Sequence, residues 1–319
     1  MSACKNRNVA FILGATMIAA APLAASAALD TSDPSIINLY LLNDQVDSQP
    51  YTNALSNQFV DSAPSGTAQN QEDSSSIPSP SWVSTPGIGT GTGLSFSRTA
   101  GQSTRFQPWM GTTQGNYSPP LENLSFTVMV RINAAALADN ATYDLLGTGS
   151  QGITLTGIGS EANSARVDVR LRDANNTYWR LDSFGGTSTG SNSSGSNFWV
   201  TAGNWVNVFL IYNDGNSLKV AIDDGTTYKV QTATGVPTGF DPDTYGFDGA
   251  GNHWWIGSTG STANTYDGMV ESVVIWDKAL SDTEADAINL TNAAVPEPAT
   301  AGVALIGLAA LATQRRRHG

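Results

Sequence analysis

The sequence predicts an all-β protein in which two antiparallel sheets pack as a jelly-roll sandwich and one short helix covers the end of the last strand. Three observations carry this reading. Strict period-2 alternation recurs along the body. Asp-Gly and other Gly-rich turns separate the alternating runs. Helical periodicity is confined to a single short stretch that begins at Ser281.

The elements follow in order. Ser125 to Asn133 sets Phe126, Val128, Val130 and Ile132 against Ser125, Thr127, Arg131 and Asn133, with Met129 out of pattern. Arg166 to Arg172 opposes Val167, Val169 and Leu171 to Arg166, Asp168, Arg170 and Arg172. Both read as strands with one buried face. Trp205–Tyr212, the turn Asn213-Asp214-Gly215-Asn216 and Ser217–Asp223 form the clearest hairpin, because Asp and Gly tolerate the positive φ of tight turns. Further strand-like runs are Ile36–Leu42, Gly93–Ser97, Ile153–Thr156, Tyr178–Leu181, Thr227–Val230, Trp254–Gly257 and Met269–Trp276. Ser281-Asp-Thr-Glu284 has capping-box spacing and opens a helix to about Leu290. Two polar tracts, Asp61–Pro80 and Gly185–Asn197, hold too little apolar surface for core and read as mobile loops.

Charge and cysteine content exclude several functions. The chain of 319 residues has 15 basic and 27 acidic side chains, a net −12. Five of the basic residues lie at the two ends (Lys5, Arg7 and Arg315 to Arg317), so the chain between Arg7 and Arg315 carries about −17. Such a body repels phosphate backbones, which argues against nucleic acid as a partner. Cys4 is the single cysteine, so no disulfide framework or cysteine nucleophile is available to the body.

The two ends read as addresses. Residues 1–27 combine Lys5 and Arg7, an apolar run from Val9 to about Ala21, and Ala25-Ser26-Ala27 as a signal-peptidase site cleaved after Ala27. At the other end, residues 295–319 hold Pro296-Glu297-Pro298, fifteen uncharged residues from Ala299 to Thr313, and then Arg315, Arg316 and Arg317. As a helix that run is about 22 Å long, short of a hydrocarbon core of about 30 Å, so it would insert only with tilt or local thinning. The Arg cluster would stay cytoplasmic and leave the acidic body outside. This tail resembles the PEP-CTERM sorting signal of Gram-negative bacteria. The resemblance implies transient membrane insertion, removal of the tail by an exosortase, a membrane-embedded transpeptidase-like protease, and delivery to the cell surface or extracellular matrix.

A second resemblance covers residues 28–292. Gly93-Leu-Ser-Phe96, Leu124–Arg131, Asn204–Ile211, Trp255-Ile-Gly257 and above all Tyr266–Ser281, with the acidic Glu271 inside it, are similar to the LamG-like, concanavalin A-like jelly-roll family. That resemblance implies a two-sheet sandwich used to bind glycans or proteins, in some members with calcium.

Catalytic chemistry is scarce. Glycoside hydrolases of the concanavalin A-like superfamily resemble one another in an E-x-D-x-x-E strand that supplies paired carboxylates. Here the nearest string, Glu284-Ala-Asp286-Ala-Ile-Asn289, lacks the last carboxylate and falls in the helix. His253 is the one histidine of the body and has no serine elbow or cysteine partner in the sequence. Asp241, Asp243 and Asp248 cluster around Gly246 and offer hard oxygen ligands for Ca²⁺, although Tyr245 and Asn252 depart from an EF-hand loop and a solvated acidic loop is the favoured reading. Among eight tryptophans, adjacent Trp254 and Trp255 point to opposite faces, and Trp199, at the edge of the Gly/Ser tract, is the exposed candidate for stacking on a sugar. The expectation is therefore a non-enzymatic, exported surface or matrix protein that binds extracellular polysaccharide or a surface protein. An enzyme acting on polysaccharide and a protein–protein adhesion module are the alternatives.

Overall fold

The computed structural model describes residues 33–41, 71–72, 81–84, 92–96, 107–108, 125–148, 151–172, 178–187, 192–236, 238, 255–257 and 264–288. In chain order the strands are β1 (Ile36–Leu41), β2 (Gln71–Glu72), β3 (Ser81–Ser84), β4 (Thr92–Phe96), β5 (Gln107–Pro108), β6 (Phe126–Ala134), β7 (Thr142–Thr148), β8 (Gln151–Gly157) and β9 (Ser164–Arg172). They continue as β10 (Tyr178–Asp182), β11 (Asn192–Gly195), β12 (Val200–Thr201), β13 (Trp205–Asn213), β14 (Ser217–Asp223), β15 (Tyr228–Thr234), β16 (Trp255–Ile256) and β17 (Gly268–Trp276), followed by helix α1 (Asp282–Ala287).

Two antiparallel sheets face each other. The larger runs β11-β15-β14-β13-β6-β17-β4-β3, with β1 sharing the edge of β17 with β4; the smaller runs β10-β9-β8-β7-β16, with β12 extending the β10 edge of β9. The Asp-Gly hairpin forms as the sequence indicates: β13 pairs β14 from Asn207↔Asp223 to Asn213↔Ser217, and Gly215 at the tip has φ +63°. Between the sheets, Val128, Val130, Ile132, Val208, Leu210 and Val220 of the larger meet Ile153, Leu155, Val167, Val169 and Leu171 of the smaller. Gly257 sits where the backbone after β16 presses on Phe96: with φ +79°, a Cβ there would lie 2.3 Å from the ring.

Two readings of the sequence are corrected. β6 is not half-buried, since all nine of its residues are buried. A second apolar cluster covers the outer face of the larger sheet, where Met129, Phe209, Ile211, Ala221, Val274 and Trp276 pack under Ile36, Leu280, Ala285 and Ile288. Met129 is thus in register with this outer cluster. Within the tract Gly185–Asn197, the residues Asn192–Gly195 are a strand and not a loop, because β11 pairs β15 there with every residue exposed. Backbone pairing at a sheet edge needs no apolar side chain.

Helix α1 is six residues long, shorter than the sequence suggests, and is held by its start. Ser281 Oγ accepts from the Glu284 amide while the Glu284 carboxylate accepts from the Ser281 amide, a complete capping box. Thr127 Oγ1, on the outer face of β6, donates to Lys278 O and accepts from the Leu280 amide, which ties the link before the helix to the sheet. No helix among the described residues is long and apolar enough to cross a membrane.

A polar row crosses this otherwise apolar outer face. β17 has a bulge: Val270 pairs with Ile132 and Ser272 with Arg131, so Glu271 is the extra residue and its carboxylate lies 2.5 Å from Arg131 Nε. Arg131 donates to Asn207 Oδ1, and Asn207 Nδ2 donates to Asp223 Oδ2 and to the Ile288 carbonyl at the end of the helix. Burial pushes the Glu271 carboxyl up, with Arg131 opposing; burial likewise pushes Asp223 up, with neighbouring Asp286 and Asp224 adding to the rise.

Two predictions follow from this face. Ser281→Ala removes the cap and should lower unfolding stability by about 1 kcal/mol in denaturant titration. Asp223 has a folded pKa above its unfolded one, so its contribution favours the fold in acid and is lost as pH rises through the raised value. The wild type should therefore gain stability relative to Asp223→Asn as pH falls from about 7 toward the ordinary carboxylate range near 4. Thermal melts of the pair across that window check it, and a flat or reversed difference would refute it.

Candidate functional site

A cleft of about 450 Å³ opens between the entry to β13 and the β14–β15 turn. Its aromatic walls are Trp199, just before β12, and Trp205, the first residue of β13; Arg131, Asn204, Asp224 and Lys229 supply its charged and amide groups. Strand alternation explains the placement of Trp205. It shares the outer face of β13 with Asn207 and Phe209 but lies beyond the apolar cluster, so its ring is only half-buried.

Each wall is fixed from behind. The Arg131 guanidinium carbon lies 5.5 Å from the centroid of the Trp205 ring, within cation–π range. Arg131 is in turn held by Glu271 and Asn207. Burial lowers the Arg131 pKa, and Glu271 and Asp223 oppose that shift without cancelling it. Trp199 is 40 % exposed and stands edge-on to Phe184, with centroids 6.4 Å apart at 84°. On the opposite wall the Asp224 carboxylate accepts from the Thr226 and Thr227 amides, which closes the turn around Gly225 (φ +82°). Rigid ring faces beside amide, ammonium and carboxylate groups suit a ligand that is apolar on one face and hydroxyl-bearing at its rim.

Trp199, singled out in the sequence, lies in this cleft. The sequence does not single out Trp205, Arg131, Asp224 and Lys229, because alternation gives a residue's face and not its neighbours across the sheet. Glu284 and Asp286 lie on α1, where the Glu284 carboxyl is held below its usual range by the amide and hydroxyl of Ser281. The signal residues Ala25 and Ala27, the acidic loop with Asp241, Asp243 and Asp248, His253, and Pro296, Glu297, Pro298, Arg315, Arg316 and Arg317 lie outside the described residues.

Comparison with curated proteins finds no match. Among solved structures, the tailspike protein 2 enzymatically active domain of bacteriophage CBA120 is similar at TM-score 0.44 and 13 % identity, over 67 % of this chain and 29 % of that one. The binding domain of Paraclostridial Mosquitocidal Protein 1 gives TM-score 0.45 and 12 % identity, over 79 % and 51 %. The Ruminococcus gnavus IT-sialidase CBM40, solved with α2,3-sialyllactose, gives TM-score 0.34 and 15 % identity, over 52 % and 83 %. The chain spans less than two thirds of the length of the first two. Residues 294–317 match the model of the PEP-CTERM protein-sorting motif, so the chain carries the signal by which an exosortase sorts exported proteins of Gram-negative bacteria to the cell exterior.

Proposed function

We propose that the sandwich is a glycan-binding module, without catalytic turnover, of an exosortase-sorted surface or matrix protein, and that its ligand is an extracellular polysaccharide seated in the Trp199–Trp205 cleft. The observation that carries this reading is the cleft itself, with one exposed indole, one indole stacked on a buried guanidinium, and polar groups at the rim. A pyranose ring offers an apolar C–H face to such indoles and hydroxyls to the rim. The sorting motif supports the setting, since a sorted exterior protein meets cell-surface polymers. In this reading signal peptidase cuts after Ala27, residues 28–292 form the binding body, and residues 295–319 are lost on processing.

Two measurements test the proposal. Mass spectrometry of the exported protein should find an N-terminus at Ala28 and no Arg315–Arg317 cluster; an intact tail on mature protein would sink the processing step. A glycan array followed by calorimetry should find binding without product release. Trp199→Ala should weaken that binding about tenfold, some 1.4 kcal/mol, with an unchanged melting temperature because the ring is exposed. Silence across the array, with and without added Ca²⁺, would defeat the reading.

A further inference from the structure

The outer face of the smaller sheet carries a second surface, distinct from the cleft and touching it at one residue. Four of the ten basic residues between Arg7 and Arg315 lie on β9 and β10: Arg172 at the end of β9, and Arg166, Arg170 and Arg180 within the two strands. The register sets Arg180 beside Arg170, Asp182 beside Asp168 and Tyr178 beside Arg172. β12 continues that edge, with Val200 opposite Ala165, and Trp199 is the residue just before β12, at the Arg166 end of the edge.

The charges are layered. Asp168 is fully buried, and the Asp182 side chain is 5 % exposed, whereas the side chains of Arg166, Arg170 and Arg180 are 34–39 % exposed. The two carboxylates serve as fixed anchors beneath the guanidinium groups. Asp168 accepts from Arg180 Nε at 2.5 Å and Arg170 Nε at 3.3 Å. Asp182 Oδ2 lies 3.4 Å from Arg180 and 3.7 Å from Arg166, while its Oδ1 is taken by the amides of Phe184 and Gly186. Burial alone would lower the Arg180 pKa, but the two aspartates outweigh it and raise it. The negative charge is thus inside and the positive charge outside, on a body that is otherwise strongly acidic.

Tyr178 (46 % exposed) and Trp199 (40 %) are the exposed large apolar side chains among the described residues, and they stand at the two ends of this arginine line. From the level of Arg166 to that of Tyr178 the strip runs six residues of β9, about 20 Å at 3.3 Å per residue. We propose that this aromatic–arginine–aromatic strip is a track for an anionic, carboxylate-bearing polysaccharide. The guanidinium groups meet uronate carboxylates, for which their planar fork is suited, and the terminal rings take sugar faces. The inference deepens the glycan-binding reading above by naming the ligand's charge, and it shares with the cleft only Trp199.

The probes are polygalacturonate, a uronate polymer, and dextran, a neutral one, measured against the full-length protein by affinity electrophoresis and calorimetry. The wild type should bind polygalacturonate at low salt, weaken steeply on adding NaCl, and bind dextran far less. Arg166→Gln/Arg170→Gln keeps Arg180 as the counterion of Asp168, so the fold should persist in circular dichroism while affinity for polygalacturonate falls at least tenfold. Arg166→Lys/Arg170→Lys, which keeps both charges, should retain more of it, and serves as the folded comparison if the Gln pair melts early. No binding of polygalacturonate by the wild type at low salt, or salt-independent binding, would overturn the proposal, as would full affinity in the Gln pair. Trp205→Ala separates the two surfaces: it should spare polygalacturonate binding here, whereas a cleft ligand found on the array is lost only if the cleft reading holds.

Discussion

Burying the guanidinium of Arg131 imposes the constraint around which the larger sheet is arranged. A charge taken out of water costs several kcal/mol unless it is paired and hydrogen-bonded, and β6 is covered on both faces. The protein answers with three partners from three directions. The β17 bulge adds a residue opposite Arg131 and so brings Glu271 to it, Asn207 comes from β13, and the Trp205 ring offers its face. Remove the bulge and the parity of every later residue in β17 reverses, which would turn Val273 and Ile275 out of the inner core and drive Val274 and Trp276 into it.

The same row links the fold to its helical cover. Asn207 bonds both the Asp223 carboxylate and the carbonyl of Ile288, so the helix end, the hairpin and the buried arginine share one amide. At the other end of the link, the Thr127 hydroxyl holds the Lys278 and Leu280 backbone. The cleft is built on the margin of this system. Trp205 stands two alternation steps beyond Phe209, the last residue of the apolar cluster on β13, braced by a cation whose own position is fixed by the sheet.

Much of this was legible in the sequence where the signal is local. The Asp-Gly hairpin, the alternating strands and the capping box at Ser281 each depend on residues within a few positions of one another. What was not legible depends on distant covering. Arg131 and Asp168 occupy polar positions of alternating patterns, yet both are buried, the first among Glu271, Asn207 and Trp205 of the neighbouring strands and the second under arginines of its own and the adjacent strand. Met129 looked out of pattern for the same reason, because the outer face has its own apolar cover. The place of Trp199 beside a Gly/Ser tract suggests its exposure, but its position next to the β9 edge follows only from the pairing of β12 with β9.

The polar strand β11 closes one side of the larger sheet with Asn192-Ser-Ser-Gly195, four residues that offer a neighbouring molecule backbone groups but no apolar side chain. An open sheet edge is a template for adding strands from other copies, and short polar edges add them poorly. β11 therefore acts as a guard strand: it spends its inner edge on β15 and turns outward a short polar rim on which a second copy finds little to build.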